Sequence, residues 1–248
     1  MPHTTYSRSP VIEMALGMEF VAGSFKAGQA LEIRDQLRGQ YPRVELLDAL
    51  PPQPPLGLSG SFVGLSVGGP PNRWWFISED DSHLVQLQHD RLLLNWRKST
   101  NTEYPRHHNL MPLFLDVLTV VNDVLGGIAP LSIETDYYNL DAGLPDHAGL
   151  ASLLIGAGEL PEQLLGENMA QLEISERGRL GDRSAQWTLS ARREAGGPAQ
   201  FHIATRADAT GLPLSETGEL PKAFESLHEL AILAFERHTT DAARERWI

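Results

Sequence analysis

The chain has 248 residues, of which 42% are hydrophobic and 21% are charged, so it fits a globular protein with one large core or two small ones. A formal net charge of −12 argues against a general affinity for nucleic-acid backbones, and the absence of cysteine excludes disulfides, thiolate metal sites and a cysteine nucleophile. Glu13 and Glu19 interrupt the apolar residues near the start, and no later run reaches the roughly 20 apolar residues of a membrane span, so we expect an untargeted, cytoplasmic protein.

The hydrophobic pattern of the first half predicts a strand, a helix, a strand meander and a second helix. In the opening segment, apolar side chains alternate with Glu13, Ala15, Gly17 and Glu19, which is typical of a half-buried strand. The predicted strands cover residues 11–20, 72–78, 83–88 and 91–98, and the predicted helices cover 24–40 and 110–125. Residues 49–58 contain four prolines, which predicts an extended or turning connection.

The second half repeats this order of elements. The predicted strands cover residues 131–141, 168–177, 184–194 and 199–207, and helical segments are expected over about 147–166, 221–238 and 240–247. We therefore predict an α+β fold of two tandem β-α-(β-meander)-α units, residues 1–128 and 129–248, which form one compact body. In each unit the helices would pack on one face of an antiparallel sheet. A single larger sheet with a coincidental order of segments is the alternative.

A row of polar side chains follows the predicted hairpin at residues 83–98. If His89 and Asp90 form a two-residue turn, Gln88 faces Arg91 and Gln86 faces Leu93 across the hairpin. Alternation then places Leu92, Leu94 and Trp96 on the core face. The opposite face then carries Gln86, Gln88, Asn95 and Arg97. Neutral amides and a forked guanidinium suit directed hydrogen bonds with carboxylates, backbone or phosphate, so this row is the first candidate binding surface.

The same alternation in the second half adds polar residues to the candidate surface. His202 and Arg206 fall opposite the apolar Phe201 and Ile203 on one predicted strand. Glu13, Glu134 and Tyr138 lie on the opening strands of the two units and complete the set of candidate ligand- or partner-binding residues.

Familiar catalytic and cofactor motifs are incomplete in this sequence. The stretch G-L-S-V-G at 64–68 has the nucleophile pattern around Ser66, but Gly-Pro-Pro follows and no helix can start there. His228 and Glu229 begin an H-E-x-x-H frame whose last position is Ile232, so we expect no metal. The glycine-rich phosphate loops are absent, and we expect no cofactor.

Short motifs spread over most of the chain carry a resemblance. They are P-V-I-E at 10–13, Tyr41-Pro42, Q-L-Q-x-D-R-x-x-x-N-W-R at 86–97, Tyr104-Pro105-Arg106, E-T-D-Y-Y-N at 134–139, and the late His228, Phe235 and Trp247. Together they resemble a sporadically distributed, functionally uncharacterised bacterial family of about this length with an N-W-R-K strand motif. The resemblance implies a bacterial, cytoplasmic protein of one shared architecture and no particular mechanism. The chain departs from the pattern in its proline-rich segment and in its C-terminal half.

Three functional hypotheses remain open at this point. The leading one is a binding or interaction protein whose polar sheet face contacts a protein partner or a small polar ligand. The second is a hydrolase between the two halves, with Glu13, Glu134, Tyr138 or His202 as acid–base groups and Arg97 as an anion holder. The third is nucleic-acid or nucleotide recognition through Trp74-Trp75 and Trp96-Arg97-Lys98, which the acidic charge disfavours. We expect no membrane partner, and a homodimer stays open.

Overall fold

The described part of the chain forms one antiparallel sheet of nine strands. The computed structural model describes residues 6, 8–21, 26–51, 53, 56, 72–99, 103–142, 150, 153–154, 171–193, 197–215 and 218–248. The strands are β1 (Val11–Phe20), β2 (Arg43–Asp48), β3 (Asn72–Ile77), β4 (His83–Gln88), β5 (Arg91–Arg97), β6 (Pro130–Asp141), β7 (Gln171–Leu180), β8 (Arg183–Arg193) and β9 (Ala199–Asp208). Their order across the sheet is β2-β3-β4-β5-β1-β6-β9-β8-β7.

Four helices accompany the sheet in the described residues. They are α1 (Ala27–Leu37), α2 (His107–Leu125), α3 (Glu219–His238) and α4 (Asp241–Glu245). The longest two pack on the sheet, α2 against β1 and β5 and α3 against β6, β8 and β9, while α1 packs against α2. Gly126, in the left-handed region with φ 75°, caps α2 because glycine has no Cβ to oppose that conformation. None of these helices is both long and apolar enough to cross a membrane.

The opening strands of the two halves meet at the centre of the sheet. Strand β1 pairs with β5 on one side and with β6 on the other, so the strands of both halves form a continuous ladder. The mixed α+β class with antiparallel strands is confirmed. The internal duplication stays a prediction, although the order of elements on either side of the β1–β6 junction is compatible with it.

The hydrophobic core lies between this sheet and the helices. On β1 the inward row is Met14, Leu16, Met18 and Phe20, each almost fully buried, as the alternation of the sequence predicts. Strand β5 and helix α2 add Leu94, Trp96, Phe114 and Val117 to the same core. The hairpin register is also the predicted one, with Gln88 opposite Arg91 and Gln86 opposite Leu93.

Strand β2 was not predicted from the sequence. Its segment, R-V-E-L-L-D, lies at the edge of the sheet with mostly exposed side chains, so it lacks the clear apolar alternation of a half-buried strand. Backbone pairing with β3 stabilises it instead. Ser66 and most of the helical segment expected at 147–166 lie outside the described residues.

Candidate functional site

A polar cavity of about 600 Å³ lies on the sheet face opposite the core. Alternation along the strands aims polar side chains at it from β3, β4, β5, β1, β6, β9 and β8. Of the residues that the sequence singles out, those that line it are Glu13, Gln86, Asn95, Glu134, Tyr138, His202 and Arg206. Two further candidates, Gln88 and Arg97, are not among the described residues that line the cavity. The sheet therefore brings together side chains from both halves of the chain.

The polar row of the hairpin is buried rather than open to solvent. Gln86, Gln88 and Asn95 are 8%, 2% and 3% exposed. Other parts of the first half cover them: the Leu50 N–H donates to Gln88 Oε1 over 3.0 Å, and Leu50 and Gln53 stand on the wall of the cavity. Leu50 and Gln53, which are described residues of the proline-rich segment, therefore cover part of this face. The cavity is a recess in the protein.

A chain of hydrogen bonds fixes one wall of the cavity. Arg73 Nη1 and Trp75 Nε1 donate to Gln86 Oε1 over 3.0 and 3.1 Å, and Gln86 Nε2 donates to Asn95 Oδ1 over 2.8 Å. Asn95 Nδ2 then donates to Glu13 Oε1 over 2.6 Å. Each amide is held by its neighbour, so the orientation of this wall is set before any ligand binds.

Burial changes the acidity of Glu13 at the end of this chain. Desolvation raises the pKa of its carboxyl, although the hydrogen bond from Asn95 and the charge of Arg97 oppose the shift. Arg97 lies opposite Glu13 in the β1–β5 pairing, and its guanidinium stands 5.9 Å from the centre of the Trp75 ring.

Glu134 is the most strongly perturbed carboxyl of the cavity. It is buried on β6 directly opposite Gly17 of β1, and its Oε2 accepts a hydrogen bond of 2.6 Å from Gln53. Desolvation and the nearby Asp136 carboxylate raise its pKa to about 7, while Arg91 and the Gln53 hydrogen bond oppose the shift. Near neutral pH this carboxyl therefore exists in both the protonated and the ionised form.

Glu19 joins two arginines at one end of the cavity. Its Oε1 accepts from Arg91 over 2.7 Å, and its Oε2 pairs with Arg206 and accepts from Ser132 Oγ over 2.9 Å. Arg206 also donates from Nε to Ser132 Oγ over 3.0 Å. This cluster holds both guanidinium groups in fixed positions across β5, β1, β6 and β9.

Asp136, His202 and Tyr138 form the opposite end. Asp136 Oδ1 lies 2.9 Å from His202 Nε2, so the carboxylate orients the imidazole. The rings of His202 and Tyr138 stack with centres 4.1 Å apart and planes at 6°. Burial and the neighbouring carboxylates, Asp136 first, raise the pKa of Tyr138, which keeps its hydroxyl protonated.

The charges are distributed unevenly along the cavity. Three arginines of the cavity lining, Arg73, Arg91 and Arg206, lie toward one end, and a fourth, Arg177, lines the cavity from β7. Among the described residues, Glu19 pairs with Arg91 and Arg206, and the charge of Asp48 acts on Arg73. The sheet register places Glu13 and Asp136 toward the other end of the same strands, beside His202. The cavity therefore has a cationic end and an acidic end, with Glu134 between them.

Several lining residues were missed from the sequence. Asp136 stands two positions after Glu134 on one strand, so alternation alone could have added it to the candidate face. Arg91 could have been found in the same way, since it faces Gln88 across the hairpin. Gln53 had no such signal, because its position depends on the path of an irregular connection.

Comparison with protein-family models and with curated protein sequences found no match. The resemblance to a bacterial family with an N-W-R-K motif thus stays a prediction. Within the motif itself, Trp96 is 1% exposed and packs in the core, 5.5 Å from the Tyr104 ring centre. A stacking role for Trp96 with nucleic-acid bases is therefore excluded.

Proposed function

We propose that the protein is a cytoplasmic binding protein whose polar cavity holds a small zwitterionic ligand, about the size of an amino acid or a dipeptide. The separation of charge along the cavity carries this proposal. A ligand carboxylate would pair with the arginine end, and a ligand ammonium would face Glu13 and Asp136. One ligand would thereby pair with the opposite charges at both ends of the cavity.

The size and rigidity of the cavity support a small ligand over a protein partner. A volume of about 600 Å³ falls within the usual range of small-molecule sites. Its polar groups are recessed and already hydrogen-bonded, which lowers the ordering cost of binding. A protein partner would need a segment that enters the recess.

Isothermal titration calorimetry tests the proposal. The common amino acids and a set of dipeptides would be titrated into the full-length protein, and we expect at least one to bind with a dissociation constant below a millimolar. Arg73→Gln should weaken that binding about tenfold or more, because it removes a half-buried cation of the arginine end. Arg97→Gln is the matched control, since Arg97 also stacks on Trp75 but is not among the described cavity residues.

Two results would remove the proposal. One is the absence of any heat of binding across the whole panel. The other is an equal loss of affinity in Arg73→Gln and Arg97→Gln, which would point to a general effect of charge on the sheet.

A second candidate function rests on Glu134. A carboxyl with a pKa of about 7 beside the carboxylate Asp136 is a pairing suited to general acid–base catalysis, in which one group donates a proton and the other accepts one. A dipeptide that binds would then be hydrolysed, and Glu134→Gln would stop turnover while leaving binding intact. Chromatography of the products decides this, and an intact dipeptide after prolonged incubation would exclude the hydrolase.

A further inference from the structure

A cluster of two histidines and a glutamate lies on the opposite side of the sheet from the polar cavity. His107 begins α2, and Glu225 and His228 lie one turn apart on α3. One ligand atom from each of the three side chains lies within 4.8 Å of the others. This grouping could not be predicted from the sequence, because His107 and His228 are far apart in the chain and the H-E-x-x-H frame at His228 is incomplete.

His107 is an unusual histidine for a protein interior. Its side chain is 3% exposed, and neither ring nitrogen makes a hydrogen bond within the described part of the chain. Nδ1 lies 3.2 Å from Glu225 Oε2, but not in hydrogen-bonding geometry. Buried polar groups without hydrogen-bond partners are rare and destabilise the fold, so we expect the His107 imidazole to bind a ligand.

His228 is held beside it in a defined orientation. The two imidazole rings stack with centres 4.4 Å apart and planes at 1°. Nδ1 of His228 lies 2.6 Å from the Tyr137 hydroxyl oxygen. If Nδ1–H donates to that oxygen, Nε2 is unprotonated and can coordinate an ion. A hydrogen bond at one ring nitrogen is the usual way in which proteins orient a metal-binding histidine toward its ion through the other nitrogen.

We propose that His107, His228 and Glu225 bind a divalent transition-metal ion of the zinc type. Two imidazoles and one carboxylate are ligands that such ions prefer, whereas Mg²⁺ and Ca²⁺ select oxygen ligands. Binding at distances of about 2.1 Å requires the three ligand atoms to close on the ion. Imidazole lone pairs lie in the ring plane, so the two parallel rings cannot both coordinate one ion as they stand. Binding therefore requires the half-buried His228 ring to turn while the exposed Glu225 side chain closes on the ion.

The surroundings of the cluster indicate an open coordination position. Both histidines line a cavity of about 400 Å³ between the sheet and the helices, together with Tyr104, Tyr137 and Arg106. Three protein ligands leave the fourth tetrahedral position for water or a small ligand from the cavity, which is the arrangement of reactive rather than purely structural zinc sites. This inference is independent of the zwitterion proposal, since the two sites lie on opposite faces of the sheet.

Calorimetric titration of untagged, metal-free, full-length protein with ZnCl₂ tests the site, with Co²⁺ absorption spectra as a report on coordination. We expect one zinc ion per chain at micromolar affinity or tighter, tetrahedral cobalt bands, and no comparable binding of Mg²⁺. Glu225→Gln should weaken zinc binding about tenfold or more. This residue is 56% exposed, so its replacement should not disturb folding.

His108→Asn is the matched control, because His108 is the exposed neighbour of His107 and lies outside the cluster. It should bind zinc like the unmodified protein. The proposal is overturned if the unmodified protein binds no zinc at micromolar concentration. It is equally overturned if Glu225→Gln and His228→Asn both retain full affinity, which would assign the zinc to other histidines of the surface.

Discussion

Gly17 and Glu134 face each other across the central β1–β6 pairing, and the missing side chain of Gly17 provides the space that Glu134 occupies. A Cβ at position 17 would lie 2.6 Å from Glu134 Cγ and 2.7 Å from its Oε1, and it would also collide with Leu93. Contacts this short between non-bonded atoms do not persist. The buried carboxyl at the middle of the polar cavity therefore depends on a glycine of the neighbouring strand.

Gly17→Ala should destabilise the protein and displace Glu134. Overpacking of a close-packed site typically costs about 1–3 kcal/mol, and urea unfolding would measure the loss. Gly28→Ala is the control, because a Cβ there meets nothing within 4 Å and the position lies in helix α1. That change should stabilise by about 0.5–1 kcal/mol. If Gly17→Ala were as stable as the unmodified protein, the Leu93 and Glu134 side chains would be able to move away from the added methyl group without loss of stability.

The raised pKa of Glu134 makes stability depend on pH. The folded protein holds this proton up to a pKa of about 7, while the unfolded chain releases it near the ordinary value of 4.5. At this group the folded state therefore binds more protons between these values, so the contribution of Glu134 to stability falls as pH rises from about 4.5 to about 7 and is constant beyond. The total effect is at most about 3 kcal/mol.

Glu134→Gln should reduce the change in the free energy of unfolding between about pH 4.5 and 7. Above pH 7 the variant should be more stable than the unmodified protein. Urea unfolding at several pH values between 5 and 8 would measure it. The remaining pH dependence has two opposing contributions. Burial raises the pKa of Glu13, which acts in the same sense, whereas burial lowers the pKa values of His83, His107 and His238, which act in the opposite sense. Glu45→Gln, an exposed position on β2, should leave the profile unchanged. If the free energy of unfolding changed with pH equally in Glu134→Gln and in the unmodified protein, the pH dependence would not come from Glu134.

Regular alternation explains which features could be predicted from the sequence. The inward rows of β1 and β5, with Met14 and Trp96, follow directly from a period of two, and so does the pairing of Gln88 with Arg91. The grouping of Glu13, Glu134 and His202 on one face also follows from alternation, once their strands are adjacent. These are local patterns that every strand repeats.

Contacts between distant segments could not be predicted in this way. Gln53 reaches Glu134 from an irregular connection, and His107 meets His228 only because α2 and α3 pack side by side on one sheet. Neither contact produces a periodic pattern of residues in the sequence. The burial of the polar row was missed for the same reason, since alternation assigns a residue to a face but does not say what covers that face.

Trp96→Ala should cost about 3–5 kcal/mol in the free energy of unfolding, the usual range for removing a large core aromatic. The side chain is almost fully buried between the sheet and α2 and packs beside Tyr104, so its removal leaves a cavity that the surroundings cannot fill. Urea unfolding followed by circular dichroism would measure the change. Leu46→Ala, at an exposed position on β2, should stay within about 0.5 kcal/mol. A small effect at Trp96 would mean that the core collapses around the gap.

The ion pairs of Glu19 should stabilise the sheet far more than an exposed pair does. Arg91 is only 5% exposed, so Glu19→Gln leaves a buried guanidinium without its counter-charge and should cost about 3 kcal/mol. In Glu19→Gln/Arg91→Gln both charges are gone, and part of that loss should be recovered. The double-mutant cycle, measured by urea unfolding, should give a coupling energy above about 1 kcal/mol.

The matched cycle on the exposed pair Arg237 and Glu176 should give a coupling energy below that value, because solvent screens both charges. Equal coupling in the two cycles would mean that water reaches the Glu19 cluster, and the cationic end of the cavity would then be too well solvated to fix a ligand carboxylate.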